Sequence, residues 1–202
     1  MFPNKINLVI ANLTISKIVD FHRSGDTVYN IGNNFILKVS QNIAQLQKEY
    51  KKDQWISQYI SSPKPIMFVE QDGTAYYLRE RLQGDVLCEK HYLNRPTTLV
   101  QLLADALKQL HSVKVSVPQY QLDEGYSTLV HGDFCLPNIL AKDDNVVGYI
   151  DLGDCGIGDP WRDYAWCIWS LEYNLKTKDY TPLLLEKLGI QFDEQKFKKY
   201  TE

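Results

Sequence analysis

The spacing of apolar and polar positions changes several times along the chain, and each change marks a new element. Residues 15–21, 27–31 and 34–39 are rich in β-branched and aromatic side chains with partial alternation. Such side chains suit a pleated, half-buried surface, so three strands are expected, the last two joined by a turn at Gly32-Asn33. Residues 41–61 switch to helical spacing, with Ile43, Leu46, Tyr50, Ile56 and Ile60 close to one face. Residues 66–70 and 74–81 then read as a hairpin around Gln71-Asp72-Gly73, which completes a five-stranded sheet. Residues 1–12 predict a short helix or an irregular cap.

Beyond Leu82-Gln83-Gly84 the pattern becomes mainly helical. Residues 85–95 connect through a short helix, and 97–112 form an amphipathic helix with Leu99, Leu102, Leu103, Ala106 and Leu110 on one side. Asp159-Pro160 is a helix start, with a side-chain acceptor at the cap and proline in the first turn. The helix it opens, 160–173, is apolar nearly all round and is expected to be buried. Residues 182–188 and 193–200 predict two closing helices. The fold class is therefore α+β in two lobes: an antiparallel sheet with a helix over 1–82, and a mainly helical lobe over 83–202.

The chemistry concentrates at His131-Gly132-Asp133-Phe134-Cys135-Leu136-Pro137-Asn138, followed by Ile150-Asp151-Leu152-Gly153. One Asp stands five residues before an Asn, and a second Asp ends an apolar strand, the spacing of a kinase catalytic loop and its metal-binding Asp. Phosphoryl transfer needs a carboxylate to orient the acceptor hydroxyl and take its proton, and Asp133 is the candidate. It also needs Mg²⁺, a hard ion that takes oxygen ligands, and Asn138 and Asp151 supply them. Pro137 stiffens the loop where Asn138 must be aimed. The bland alternative makes Asp133 a turn residue, Asn138 a cap and Asp151 a strand stop. Lys38, on the apolar strand Phe35-Ile36-Leu37-Lys38-Val39, needs a counter-charge or an anionic ligand unless it guards a sheet edge.

Over residues 129–171 these motifs resemble the aminoglycoside phosphotransferase family, in particular its 3'-phosphotransferase branch, with the same His-Gly-Asp opening, the Cys-Leu-Pro-Asn run and the Ile-Asp-x-Gly strand end. The resemblance implies a protein-kinase-like fold and an ATP- or GTP-dependent kinase with Mg²⁺ that phosphorylates an aminoglycoside hydroxyl. It implies Ile36 against the adenine, Lys38 on the α- and β-phosphates, and Glu49 as the partner that aims Lys38. It also implies phosphate contacts near Ser24, a hinge from Glu80 to Leu82 that reads the adenine edge through its backbone, and Asp163 as a brace for the catalytic loop. Three features depart from the family: only twenty positions separate His111 from His131, Asp154 stands where relatives carry arginine, and the chain stops at Glu202 without the acidic-aromatic tail. These departures keep two alternatives open: a kinase for another small metabolite, of the choline or fructosamine type, and a catalytically weak nucleotide-binding relative.

Composition narrows the partners. The 202 residues are 44% hydrophobic and carry a net charge of −3, which supports a real core and argues against a nucleic-acid binder. Between Tyr120 and Asp163 acids far outnumber bases, so a small cationic acceptor is expected. Asp123, Glu124, Asp143 and Asp144 read as turn residues within that stretch. Cys88, Cys135, Cys155 and Cys167 have no disulfide-like or zinc-like spacing, and Cys135 lies two residues from Asp133. Residues 1–19 hold no long apolar run, so neither a signal peptide nor a membrane span is expected. The cysteines read as reduced thiols of a cytoplasmic protein, and a monomer or weak dimer is expected.

Overall fold

The computed structural model describes residues 2–18, 26–115 and 117–202. It divides into two compact units, one of Met1–Gln58 with Ser62–Leu82, the other of Tyr59–Ser61 with Gln83–Glu202.

The first unit opens with helix α1 (Asn4–Ile10) and continues through β1 (Ile15–Ile18), β2 (Thr27–Ile31), β3 (Phe35–Ser40), α2 (Ile43–Ile56), β4 (Pro65–Gln71) and β5 (Thr74–Glu80). The strands form an antiparallel five-stranded sheet in the order β1-β2-β3-β5-β4. Alternation along the strands divides its side chains between two faces. Leu37 pairs with Leu78 across β3 and β5, and both are buried against Ile6 and Ile10 of α1 and against Ile31. The next pair, Lys38 and Tyr77, points to the opposite face, where Tyr77 and Ala75 pack with Leu46 of α2.

Helix α2 is capped by Asn42, whose side chain accepts from the Gln45 amide at 3.1 Å. It ends at Ile56, earlier than its periodicity predicts. The reason is a competing set of partners: the Ser61 carbonyl accepts from the Tyr149 amide at 3.1 Å, and the Ser61 hydroxyl donates to the Val147 carbonyl at 2.6 Å. Backbone committed to a strand cannot also continue a helix. The buried face of α2 also differs from the expected apolar stripe, since Glu49, Lys52 and Asp53 are buried with Leu46, Trp55 and Ile56.

The second unit runs β6 (Asp85–Val86), α3 (Lys90–Leu93), α4 (Pro96–Ser112), β7 (Thr128–Val130), β8 (Ile139–Lys142), β9 (Asn145–Tyr149), β10 (Gly156–Gly158), α5 (Trp161–Leu175), α6 (Thr181–Leu188) and α7 (Glu194–Thr201). The β8–β9 turn places Asp143 and Asp144 at positive φ, the conformation of a tight hairpin. Strand β6 adds to this hairpin, and β7 pairs with β10. Helix α4 supports the hairpin through Tyr149, whose hydroxyl donates to the Ala106 carbonyl at 2.8 Å.

Helix α5 starts where expected, with Asp159 Oδ1 accepting from the Trp161 amide at 3.0 Å. Its burial is less complete than expected. Trp161, Ala165, Ile168 and Leu171 are buried, but Trp166 and Trp169 are half-buried and make an edge-to-face pair with centroids 5.5 Å apart. Trp169 also stacks on the exposed Tyr173. Aromatic faces can thus cover one another at a surface without a buried environment. Among the described residues no helix is long and apolar enough to cross a membrane.

The centre of the first sheet face is tightly specified. Leu37→Ala should lower stability by about 2–5 kcal/mol, read from the shift of the urea-unfolding midpoint.

Candidate active site

Asp133, Asn138 and Asp151 lie in the second unit, on the segments that link β7, β8, β9 and β10. The organising group is Asp163, fully buried in the first turn of α5. Its Oδ2 accepts from the His131 amide and from His111 Nε2, and its Oδ1 accepts from the Gly132 amide, each at 2.9 Å. A carboxylate holding two consecutive backbone amides fixes the path of the chain just before Asp133. Gly132 adopts φ +86°, and a side chain there would place its Cβ 2.5 Å from the Asp154 carbonyl oxygen, so only glycine fits.

His131 ties this loop to the strand end that carries Asp151. Its Nε2 lies 3.0 Å from the Ile150 carbonyl, which can only accept, so the ring proton sits on Nε2. Its Nδ1 then accepts from the Asp133 amide at 3.3 Å. The Ile150 amide in turn donates to the Asn138 carbonyl at 2.9 Å. One set of loop bonds therefore links the segments that carry Asp133, Asn138 and Asp151. Asp151 has φ +63° and ψ +50°, a left-handed conformation that Asp tolerates better than most side chains.

The Asp133 carboxylate accepts from Cys135 Sγ at 3.1 Å on Oδ1 and from Asn138 Nδ2 at 3.0 Å on Oδ2. Asn138 Nδ2 also donates to the Asp133 carbonyl at 2.9 Å. With the amide nitrogen committed to Asp133, the oxygen of Asn138 is the atom this side chain can offer a cation. Asn138 and Asp151 fit Mg²⁺ chemically, since both present hard oxygens and Mg²⁺ is commonly held by one or two protein groups plus water and phosphate. Among the described residues there is no cluster of three or more His, Cys, Asp or Glu that could hold a metal unaided.

The first unit contains the other named residues. Lys38 lies on β3, the middle strand of five, so it guards no edge. It is buried, and its Nζ donates to Glu49 Oε1 of α2 at 2.6 Å. Ile36 is half-buried on the same sheet face, directly across from Arg79 of β5. At the end of β5 the Glu80 amide donates to the Lys64 carbonyl at 2.9 Å and the Arg81 amide to the Asn34 carbonyl at 2.7 Å. Leu82 follows, half-buried. Ser24 lies outside the described residues.

Several site-supporting residues escaped the sequence reading. Arg79, Asp53 and Tyr77 join Lys38 and Glu49 in one buried network: Arg79 Nη1 reaches Glu49 Oε1 at 3.0 Å and Asp53 Oδ2 at 3.3 Å, and Tyr77 donates to Asp53 at 2.6 Å. Burial raises the Asp53 pKa while Arg79 opposes that rise. The spacing of Glu49 and Asp53, four residues apart on one helix face, was the available signal. Much of the acidity near the loop also has a structural use. Asp123 makes a bidentate pair with Arg162 at 2.7 and 3.0 Å, Asp144 makes another with Arg95 at 2.7 and 2.8 Å, and Asp159 accepts from Lys196 at 2.9 Å. Asp123 and Asp144 are thus more than the turn residues they resemble.

Comparison with known proteins gives this geometry a family context. The model of the Phosphotransferase enzyme family matches residues 115–194, the segment that holds the whole Asp133 loop and Asp163. The curated aminoglycoside 3'-phosphotransferase of Enterococcus faecalis is 28% identical over 201 aligned residues, covering 75% of this chain and 76% of that protein. The chain is similar in sequence to aminoglycoside 3'-phosphotransferases. Among solved structures, the aminoglycoside phosphotransferase APH(3'')-Id of Streptomyces rimosus superposes with a TM-score of 0.77 at 17% identity, covering 96% of this chain and 93% of that one. Its complex with ADP and streptomycin superposes at 0.70 and 19% identity, covering 99% and 97%. The α+β, protein-kinase-like fold of the aminoglycoside phosphotransferases is therefore the fold of this chain.

Arg162 beside Asp123 holds that carboxyl below its ordinary value. A depressed folded value contributes stability that is present above the unfolded pKa of about 3.9 and is lost as pH falls through the folded value. The difference in urea midpoint between the wild type and Arg162→Met should therefore be measurable at pH 6 and shrink on acidification below about pH 4.

Proposed function

We propose that the chain is a phosphotransferase that moves the γ-phosphoryl group of ATP, or GTP, to a hydroxyl of a small cationic acceptor, by our reading the 3'-hydroxyl of an aminoglycoside. The observation that supports this reading is the loop in which Asp163 and His131 hold the segments that carry Asp133, Asn138 and Asp151. Asp133 takes the proton of the acceptor hydroxyl as its oxygen bonds to the γ-phosphorus. The bond from that phosphorus to the β–γ bridging oxygen breaks, and the nucleoside diphosphate leaves with the electron pair. In the resting loop Oδ1 of Asp133 is held by the Cys135 thiol, a weak donor that an acceptor hydroxyl can displace at small cost.

Asn138 and Asp151 would hold Mg²⁺, which when bound neutralises phosphate charge. Lys38 is the cation for the α- and β-phosphates, and Glu49 aims it. Ile36 lies against the base. Because the Glu80 and Arg81 amides are committed within the sheet, the base edge is read by the Glu80 carbonyl and the Leu82 backbone. Positioning and charge neutralisation thus supply most of the catalysis.

The acceptor reading rests on charge and on the relatives. The Asp154 backbone packs against Gly132, and acids outnumber bases between Tyr120 and Asp163, so an acceptor bearing ammonium groups suits this part of the chain. The relative from Enterococcus faecalis is named for the same 3'-transfer. The enzyme works in the cytoplasm, where its four free cysteines stay reduced, as a monomer or weak dimer, and on no nucleic acid. One observation favours a second reading, a kinase for another small metabolite. The span after α4 contains, among the described residues, a single 3-10 turn at Pro118–Tyr120 and no longer helix before β7.

Two measurements separate these readings. ADP release with ATP and Mg²⁺ is followed against kanamycin, neomycin, choline and homoserine, and the proposal expects turnover with the first two alone. Asp133→Asn should keep nucleotide affinity and lose turnover by about 10²–10⁴-fold, and unchanged turnover would remove Asp133 from the role of base.

A further inference from the structure

The network around Glu49 is larger than a lysine–glutamate pair requires. Strand register explains how it forms: Lys38 pairs with Tyr77 and Ile36 with Arg79, so Tyr77 and Arg79 emerge on the face of β5 that meets α2. Helix geometry places Glu49 and Asp53 one turn apart on the facing side. Two buried carboxylates then meet two buried cations: Glu49 is 6% and Asp53 0% exposed, Lys38 7% and Arg79 5%. Charges taken out of water are costly unless they are paired in this way.

One detail decides the division of labour. Glu49 Oε1 is a shared atom, accepting from Lys38 Nζ at 2.6 Å and from Arg79 Nη1 at 3.0 Å. Arg79 is itself anchored, because the same Nη1 reaches Asp53 Oδ2 at 3.3 Å and Asp53 is pinned by the Tyr77 hydroxyl at 2.6 Å. The guanidinium also lies over the Tyr77 ring, 5.8 Å from its centroid. Lys38 is the flexible member on a long stem; Arg79 is the fixed one.

We propose that Arg79 is a positioning residue for nucleotide binding: it serves as the standing counter-ion of Glu49, so that the Lys38 ammonium can be shared with a phosphate oxygen without leaving a buried carboxylate uncompensated. This rests on the reading of Lys38 as the phosphate-binding cation. Without Arg79, the buried Glu49 carboxylate keeps only the Lys38 ammonium among these four groups as its counter-charge. Lys38 is then drawn onto Glu49 and withheld from the phosphates. The role assigned to Arg79 is thus an indirect one, acting through Glu49 on Lys38, with no contact to the reacting atoms.

The test compares wild type, Arg79→Met, Arg79→Lys and Lys38→Met. In Arg79→Met the KM for ATP should rise about tenfold, the size of one charge-assisted hydrogen bond partly lost, while kcat changes less and the KM for the acceptor stays put. Arg79→Lys keeps the charge on a flexible stem without the planar guanidinium over the Tyr77 ring, so it should recover part of that loss. A readout independent of turnover is the rate at which Lys38 is acetylated by a trace of acetic anhydride, followed by peptide mass spectrometry without nucleotide. That rate should fall several-fold in Arg79→Met, because an ammonium that alone compensates the Glu49 carboxylate gives up its proton less readily. Melting temperatures show which variants fold; if Arg79→Met does not, Arg79→Lys carries the test with a smaller shift in the same direction. Unchanged Lys38 labelling and unchanged KM for ATP in the folded variants would overturn the role of Arg79. An unchanged KM for ATP and turnover in Lys38→Met would instead overturn the reading of Lys38, whatever the labelling shows.

Discussion

A single buried carboxylate fixes the path of the chain at the site. Asp163 is fully buried, yet it accepts three hydrogen bonds, two of them from the consecutive amides of His131 and Gly132. Backbone amides at the start of a loop are ordinarily the groups that water or a ladder must satisfy. Giving them to one side chain on α5 removes the freedom of the loop without placing it in a strand. From there the order propagates. His131 bonds to the Ile150 carbonyl, Ile150 bonds to Asn138, and Asn138 bonds to Asp133. Each residue of chemical interest is held by backbone or by a neighbour that is itself held, which is the condition for positional catalysis.

The same logic appears in the first unit with charges in place of amides. There the sheet register and one turn of α2 deliver two cations and two carboxylates to a buried face. Both networks rest on pairing in a low dielectric, where an unpaired member is costly. The two units therefore solve one problem in two ways: how to keep a polar group aimed inside a packed fold. In neither case is the aimed group itself the best-connected one. Asp133 and Lys38 are poised, while Asp163 and Arg79 are fixed.

Much of the sheet and of the loop could be read from residue order. Gly32-Asn33 and Asp72-Gly73 mark their turns by chemistry that few other residues supply, and the strands flanking them follow. Asp133, Asn138 and Asp151 stood out together through their kinase-like spacing, and loop bonds link the segments that carry them. Glu49 was reachable from Lys38, since a buried cation demands a partner. Asp53 and Lys52 were not, because periodicity treats charged positions as exposed, and here α2 turns them inward. Arg79 was hidden for the same reason on a strand. The early end of α2 depended on Ser61 finding partners on β9, some 86 positions away, which no local pattern contains. The half-buried Trp166 and Trp169 show the converse error, apolar side chains that shield one another at a surface instead of entering the core.

The account turns on the grip of Asp163 on the loop, and amide hydrogen exchange of the whole protein measures it directly. The His131 and Gly132 amides should exchange slowly, at rates set by opening of the surrounding core of the second unit and not by local loop motion. Exchange of these two amides as fast as that of the exposed turn at Asp143 and Asp144 would contradict it, because the carboxylate would then not be holding the chain that presents Asp133.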